Sequence, residues 1–320
     1  MSAVGARDDL YRKIKVLNEH LWDGRACRPD VEAWLGNFLP DDVTGPSERL
    51  HALYLLSQFI YFAKREVRQL LRTLYRDLYR APIVAEYRRK NGDTLDAGAI
   101  AAAAGAALES TRFIGLGNPA ESGTHLLYSF RQENDLPIGL FKSIPDLFDR
   151  SMADPAVRLA EPGVRRFVFI DDFCGTGTQA IRYSHNVLGV LRDVERRYRK
   201  RFHVSCLMLA ARTDALERVR REANYDAVDA VLQFDDSYRS LSPGSRHFKD
   251  VPNGVTREFA GAMARTYGLR LDPQDPVGFK GSELLLGFDH NIPNNTLPVI
   301  WWDTPPWRPI FPRYSKNYGP

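Results

Sequence analysis

Four consecutive apolar residues, Phe167-Val168-Phe169-Ile170, run straight into two acids and a small-residue turn, Asp171-Asp172-Phe173-Cys174-Gly175-Thr176-Gly177-Thr178. An unbroken apolar run of this length, bounded by turn signals, predicts a strand buried on both faces. Such strands belong to parallel sheets covered by helices, so these residues restrict the fold class more than any other stretch. Gln179 opens a long helical pattern reaching Arg201. Backbone N–H groups at a helix start favour a simple anion by about 0.3–1 kcal/mol. Gly175 and Gly177 allow a ligand close to the backbone, and the hydroxyls of Thr176 and Thr178 add donors. The loop suits one phosphate, while acids ahead of it suit hydroxyls or a hydrated metal ion. A sugar phosphate presents both groups. The competing reading is a plain strand-to-helix turn whose acids cap the helix.

The segment Asp171 to Thr178 resembles the phosphoribosyl pyrophosphate (PRPP) signature of type I phosphoribosyltransferases. The resemblance implies that Gly175, Thr176, Gly177 and Thr178 hold the 5′-phosphate. It also implies that Asp171 and Asp172 are the catalytic residues, holding the ribose hydroxyls and favouring positive charge developing on the sugar. Mg²⁺ would arrive with PRPP, with no dedicated metal ligands on the chain.

Upstream, residues 8–39 read as short helices anchored by Trp22, Trp34, Leu35 and Phe38. Ser47 is placed to cap a helix running through about Arg80, and Pro82 ends or kinks it. Lys64, Arg65, Arg68, Arg72, Arg76 and Arg80 form its cationic side. That face suits nucleic acid or an acidic partner, although Glu66 and Asp77 interrupt it and solvated charge explains it as well. An alanine-rich helix from Asp93 to about Ser110 is expected to pack on the sheet that follows. These segments make a helical region over residues 1–110, ahead of an α/β core over 111–320 with a C-terminal extension.

In that core Phe113 to Gly117 reads as the first strand, followed by a small-residue loop to Thr124 and a helical pattern from His125 to Gln132. By the resemblance, Ser122, Gly123 and Thr124 fall in the pyrophosphate loop. No Lys or Arg lies in that loop, and a plain turn explains it equally. Ile138 to Ile144 suggests a short strand, and a lid over the reacting centre is implied between residues 135 and 164. Val204–Ala211 and Val228–Phe234 read as further buried strands. Alternation of strands and helices predicts a parallel sheet flanked by helices, with ligands at the carboxyl ends of the strands. Asp235 and Asp236 lie at such an end and are weaker site candidates, with helix capping as the alternative. After a strand over Glu283–Phe288, the loop His290 to Pro298 offers Asn294 and Asn295 as weaker candidates to meet a base or ribose. Turn formation explains them too.

The stretch Asn291-Ile292-Pro293-Asn294-Asn295-Thr296-Leu297-Pro298 and the tail Trp307 to Arg313 extend the likeness. Together they resemble phosphoribosyltransferase-like effector domains of bacterial conflict and antiphage systems, some of retron type. This implies a role in antiviral defence and partners among defence proteins or a nucleic-acid-bearing complex, besides a sugar phosphate or nucleotide. Two other functions fit the same loop. One is a nucleotide-sensing module without catalysis. The other is an S-adenosylmethionine-dependent methyltransferase, whose Gly-x-Gly loop should follow the first core strand rather than a later one. With 44% hydrophobic and 26% charged residues and a net charge of +4, the chain has ordinary globular composition. The charge is too small to indicate nucleic acid by itself. Cys27, Cys174 and Cys206 are spaced for neither a disulfide framework nor a zinc site. A cytoplasmic protein without a membrane segment is expected.

Overall fold

A computed structural model describes residues 3–41, 46–117, 122–149 and 158–313. The chain divides into two compact units, residues 68–234 and residues 1–67 with 235–320. This division departs from the expected boundary at 110: residues 68–110 group with the sheet, and the C-terminal 86 residues group with the first helices. None of the described helices is long and apolar enough to cross a membrane.

The unit of residues 1–67 and 235–320 begins with α1 (Ala3–His20), α2 (Arg28–Leu35) and α3 (Glu48–Ser57), the last capped by Ser47 through the Leu50 amide at 3.0 Å. The helix foreseen from Ser47 to Arg80 stops at Ser57 because Ile60–Phe62 forms a strand, β1. Aromatic and β-branched residues favour that conformation. Its parallel partner is β8 (Leu286–Phe288), more than 200 residues away, which local periodicity cannot report. β8 is also shorter than the strand expected over Glu283–Phe288. α11 (Arg257–Leu271) and the short α12 (Pro298–Trp301) complete the unit. Trp22, Trp34, Leu53, Leu297 and Ile300 lie in one shared core, and the Trp34 indole donates to the Val299 carbonyl at 2.8 Å.

α4 (Lys64–Thr73) carries the chain into residues 68–234 and continues through a π-helical stretch, Leu74–Arg80, into α5 (Ala81–Lys90). Pro82 has no N–H, and its ring would crowd the carbonyl four residues back in a regular helix. The widened turn absorbs the conflict: Ala81 N–H reaches the Arg76 carbonyl, five residues back. The cationic side is largely paired. Arg68 and Arg72 both meet the buried Glu133 (3.3 and 2.8 Å), and Arg76 meets Asp77. The alanine-rich α6 (Ala97–Glu109) is capped by Asp96 and buries no residue, so the expected packing on the sheet is not observed. Its side chains are too small to supply much apolar area, and its main neighbour is α5.

The sheet of this unit has four strands, all parallel: β2 (Thr111–Gly115), β5 (Arg166–Cys174), β6 (His203–Arg212) and β7 (Ala227–Phe234), in that spatial order. α7 (Ser122–Glu133) follows β2, and α10 (Thr213–Glu222) joins β6 to β7. A two-residue antiparallel ribbon, β3 (Phe148–Asp149) with β4 (Arg158–Leu159), brackets residues 150–157, the part of the expected lid that lies outside the described residues. The strand expected over Ile138–Ile144 is a 3₁₀ turn, Ile138–Leu140, with one bridge from Phe141 to Phe113. β5 is interior to the sheet. Phe167, Val168, Phe169 and Ile170 are all 0–2% exposed, as the apolar run demands.

Candidate functional site

β5 does not end at the acids. It runs through Cys174, in register with Met208 at Asp171 and with Ala211 at Cys174. Asp171 is buried and Asp172 half-buried. The Asp172 amide donates to Asp171 Oδ1 at 3.0 Å, and the Phe173 amide donates to Asp172 Oδ1 at 2.7 Å. These carboxylates are held beside the strand's own backbone. The N-cap residue of α8 (Thr178–Tyr183) is Gly177, without a side-chain capping bond, so the turn is built differently from an acid-capped one.

Gly177 adopts φ 73°, the left-handed region. A Cβ there would lie 2.7 Å from Val219 Cγ2 and 3.2 Å from the Ala215 carbonyl, so glycine is required both for backbone angle and for the approach of α10. The Thr176 hydroxyl donates to Thr178 Oγ1 at 3.1 Å. The helix then passes through a π stretch, Ser184–Leu188, into α9 (Gly189–Tyr198).

Arg218, on α10, was not singled out by sequence. Its Nη1 donates to the Thr176 carbonyl at 3.0 Å and to Thr178 Oγ1 at 3.4 Å, while its Nε donates to Glu222 at 3.0 Å. A guanidinium from the following strand–helix unit thus braces the loop and brings a positive charge to it. The signal available was only an arginine on the helix after the next strand, and the sequence has many arginines.

Two buried free thiols, Cys174 and Cys206, lie at the end of β5 and beside that strand. Burial, with the nearby Asp171 carboxylate, pushes the Cys174 thiol up to about 12, and burial raises Cys206 well above its ordinary value. Cys174 therefore serves packing rather than nucleophilic attack. The Tyr225 hydroxyl donates to the Ala180 carbonyl at 3.1 Å, with its pKa raised by burial.

β2 pairs with β5 along its whole length, and Leu116 N–H continues the ladder to the Ile170 carbonyl at 2.9 Å. Two parallel strand–loop–helix units therefore open at the same edge of the sheet, linked by the Tyr183 hydroxyl donating to the Gly117 carbonyl at 3.4 Å. Ser122, Gly123 and Thr124 form the first turn of α7 rather than a loop ahead of it. Their backbone N–H groups are those that a helix start leaves unpaired. Residues 118–121, the rest of the expected pyrophosphate loop, lie outside the described residues.

The weaker candidates have local duties in the other unit. Asp235 accepts the Ser237 amide at 2.9 Å and caps a 3₁₀ turn, which lowers its pKa, and Asp236 lies 3.8 Å from Arg239. Buried Asn295 donates through Nδ2 to Ser282 at 2.8 Å, and the Asn294 carbonyl accepts from Phe279 at 2.8 Å. The Asn295 side chain thus holds a turn within the unit, whereas the Asn294 bond is made by its backbone.

A protein-family model, PRTase-CE, matches residues 31–313. None of the curated proteins matches the chain. Among solved structures, the orotate phosphoribosyltransferase of Aeropyrum pernix is 20% identical with a TM-score of 0.24, covering 39% of this chain and 60% of its own. The xanthine-guanine-hypoxanthine phosphoribosyltransferase of Helicobacter pylori is 11% identical with a TM-score of 0.29, covering 55% and 89%. The adenine phosphoribosyl transferase of Trypanosoma brucei, solved with AMP, pyrophosphate and ribose-5-phosphate, is 12% identical with a TM-score of 0.23, covering 54% and 80%.

Proposed function

Because the chain belongs to the PRTase-CE family across residues 31–313, we propose that the carboxyl edge of its sheet binds PRPP or a ribose-phosphate nucleotide. The observation that carries this reading is β5 itself, which delivers two adjacent carboxylates and then a glycine-hinged loop leading into a helix. Asp171 and Asp172 take the ribose hydroxyls and favour positive charge developing on the sugar. Residues 175–178 take the 5′-phosphate, so binding energy remote from the reacting carbon fixes its position. The start of α7 at Ser122–Thr124 takes the diphosphate end. No protein nucleophile is needed, in keeping with the protonated Cys174 thiol.

Among the described residues no group of three or more His, Cys, Asp or Glu is gathered to hold a metal ion. Mg²⁺ would come with the substrate as its diphosphate complex, and Asp171 and Asp172 are the carboxylates that would meet it. When bound, it would neutralise charge on the diphosphate. The likeness to conflict-system effectors supports a role in antiphage defence, with other defence proteins as partners. A sensor that binds without turnover is the second reading. It is favoured by the absence of Lys and Arg from residues 116–125.

Isothermal titration with Mg²⁺–PRPP, followed by assay of pyrophosphate release with nucleobases, tests both readings. Binding with turnover supports the enzyme, and binding without turnover supports the sensor. Asp171→Asn with Asp172→Asn should retain the fold and weaken binding by at least about 100-fold, the loss of two charge-assisted contacts. Unchanged affinity in that variant would remove the acids from the site, and binding of S-adenosylmethionine in place of PRPP would overturn the reading.

A further inference from the structure

We propose that the unit of residues 1–67 and 235–320 carries a second small-molecule site, a cleft that takes a planar aromatic anion of the nucleoside monophosphate class. The cleft has a volume of about 470 Å³, within the range of small-ligand pockets, and Tyr267, Trp302 and Trp307 supply aromatic walls. Of the three, half-buried Trp302 is the least covered, and an indole face stacks planar heterocycles. Trp307 is more than nine-tenths buried, packed edge-on to Phe38 at 5.4 Å and tilted against Tyr267 at 5.6 Å. Its indole N–H is buried and has no hydrogen-bond partner among the described residues, an unusual condition for a buried tryptophan. A bound acceptor, reached by a small shift of the wall, would satisfy it.

The charge of the cleft points to an anion. Arg270 lines it, exposed, with its guanidinium 5.4 Å from the Tyr267 ring centroid and no carboxylate paired with it among the described residues. Most other arginines of the chain are paired, for example Arg68, Arg72, Arg112, Arg192 and Arg218. Asn37, also in the lining, is already committed: its amide donates to the Trp34 and Arg308 carbonyls at 2.8 and 2.9 Å and accepts the Arg308 amide. It frames the cleft, while Arg270 and the Trp307 N–H have capacity for a ligand. An aromatic face joined to a single strong anion is the ligand that uses both. This site is independent of the sheet-edge reading, since every residue lining it belongs to the other unit.

All five tryptophans of the chain lie in this unit, so intrinsic tryptophan fluorescence reports on it selectively. The full-length protein is titrated with AMP, with adenosine and with inorganic phosphate. Saturable quenching by AMP, with affinity about tenfold or more weaker for adenosine and for Arg270→Gln, is expected from loss of a charge-assisted contact. The Asp171→Asn/Asp172→Asn protein should quench like the parent, which separates this site from the sheet edge. Arg270→Gln should melt at the parent temperature, because the side chain is exposed and unpaired. Absence of saturable quenching by AMP, equal affinity of parent and Arg270→Gln, or loss of quenching in the double aspartate variant would each overturn the proposal.

Discussion

Replacing Gly177 with alanine tests the construction of the loop. The residue sits at φ 73°, and an L-residue in the left-handed region costs about 1–2 kcal/mol. The new methyl would stand 2.7 Å from Val219 Cγ2 and 3.2 Å from the Ala215 carbonyl. Val219 and Ala215 are fully or almost fully buried on α10, so relief requires moving a packed helix, for which overpacking costs about 1–3 kcal/mol. The sum predicts destabilisation of about 2–5 kcal/mol, read as a lowered urea midpoint of the unit containing residues 68–234. Gly105→Ala is the matched control. Its Cβ would meet nothing within 4 Å in the middle of exposed α6, and alanine there should stabilise by about 0.5–1 kcal/mol. Because α10 must shift, Gly177→Ala should also displace Arg218 from the Thr176 carbonyl and weaken PRPP binding. A Gly177→Ala protein within about 0.5 kcal/mol of the parent, with Gly105→Ala behaving as expected, would refute the argument that close approach of α10 dictates glycine at this position.

Two further outcomes follow from named contacts. Arg218→Gln keeps an amide donor but loses the charge beside Thr176 and Thr178; affinity for PRPP or inorganic phosphate should fall about tenfold in calorimetry with little change in melting temperature, and equal affinity would show that its charge takes no part in anion binding. His247 is buried, and desolvation lowers its pKa from the ordinary 6.5 to about 4. The unfolded chain then binds a proton that the folded chain refuses, so stability is full above about pH 6.5 and is lost as pH falls toward 4, by up to about 3 kcal/mol. Melting temperatures between pH 7 and 4 should drop less steeply in His247→Gln, and parallel profiles would show that another group governs the acid limb.

The chain's own order of residues determined that Phe167–Ile170 would be a doubly covered strand, that acids and small residues would follow it, and that helices would alternate with strands through residue 234. These are local properties: four apolar side chains in a row have no wet face, and glycine beside threonine bends where larger residues resist. Tertiary structure decided what depends on distant partners. Ile60–Phe62 left its helix to pair with Leu286–Phe288, and the ends of the chain joined in one core, which moved the division of the molecule from residue 110 to residues 68 and 234. Alanine-rich α6, apolar in sequence, stayed exposed because its side chains offer little area to bury. Asp171 and Asp172 proved to be strand residues tied to neighbouring amides, and Arg218 reached the loop from a helix 40 residues on. Local sequence reports the conformation a segment prefers, whereas which charge meets which loop depends on strand order and register, and those are settled by packing between segments far apart in the chain.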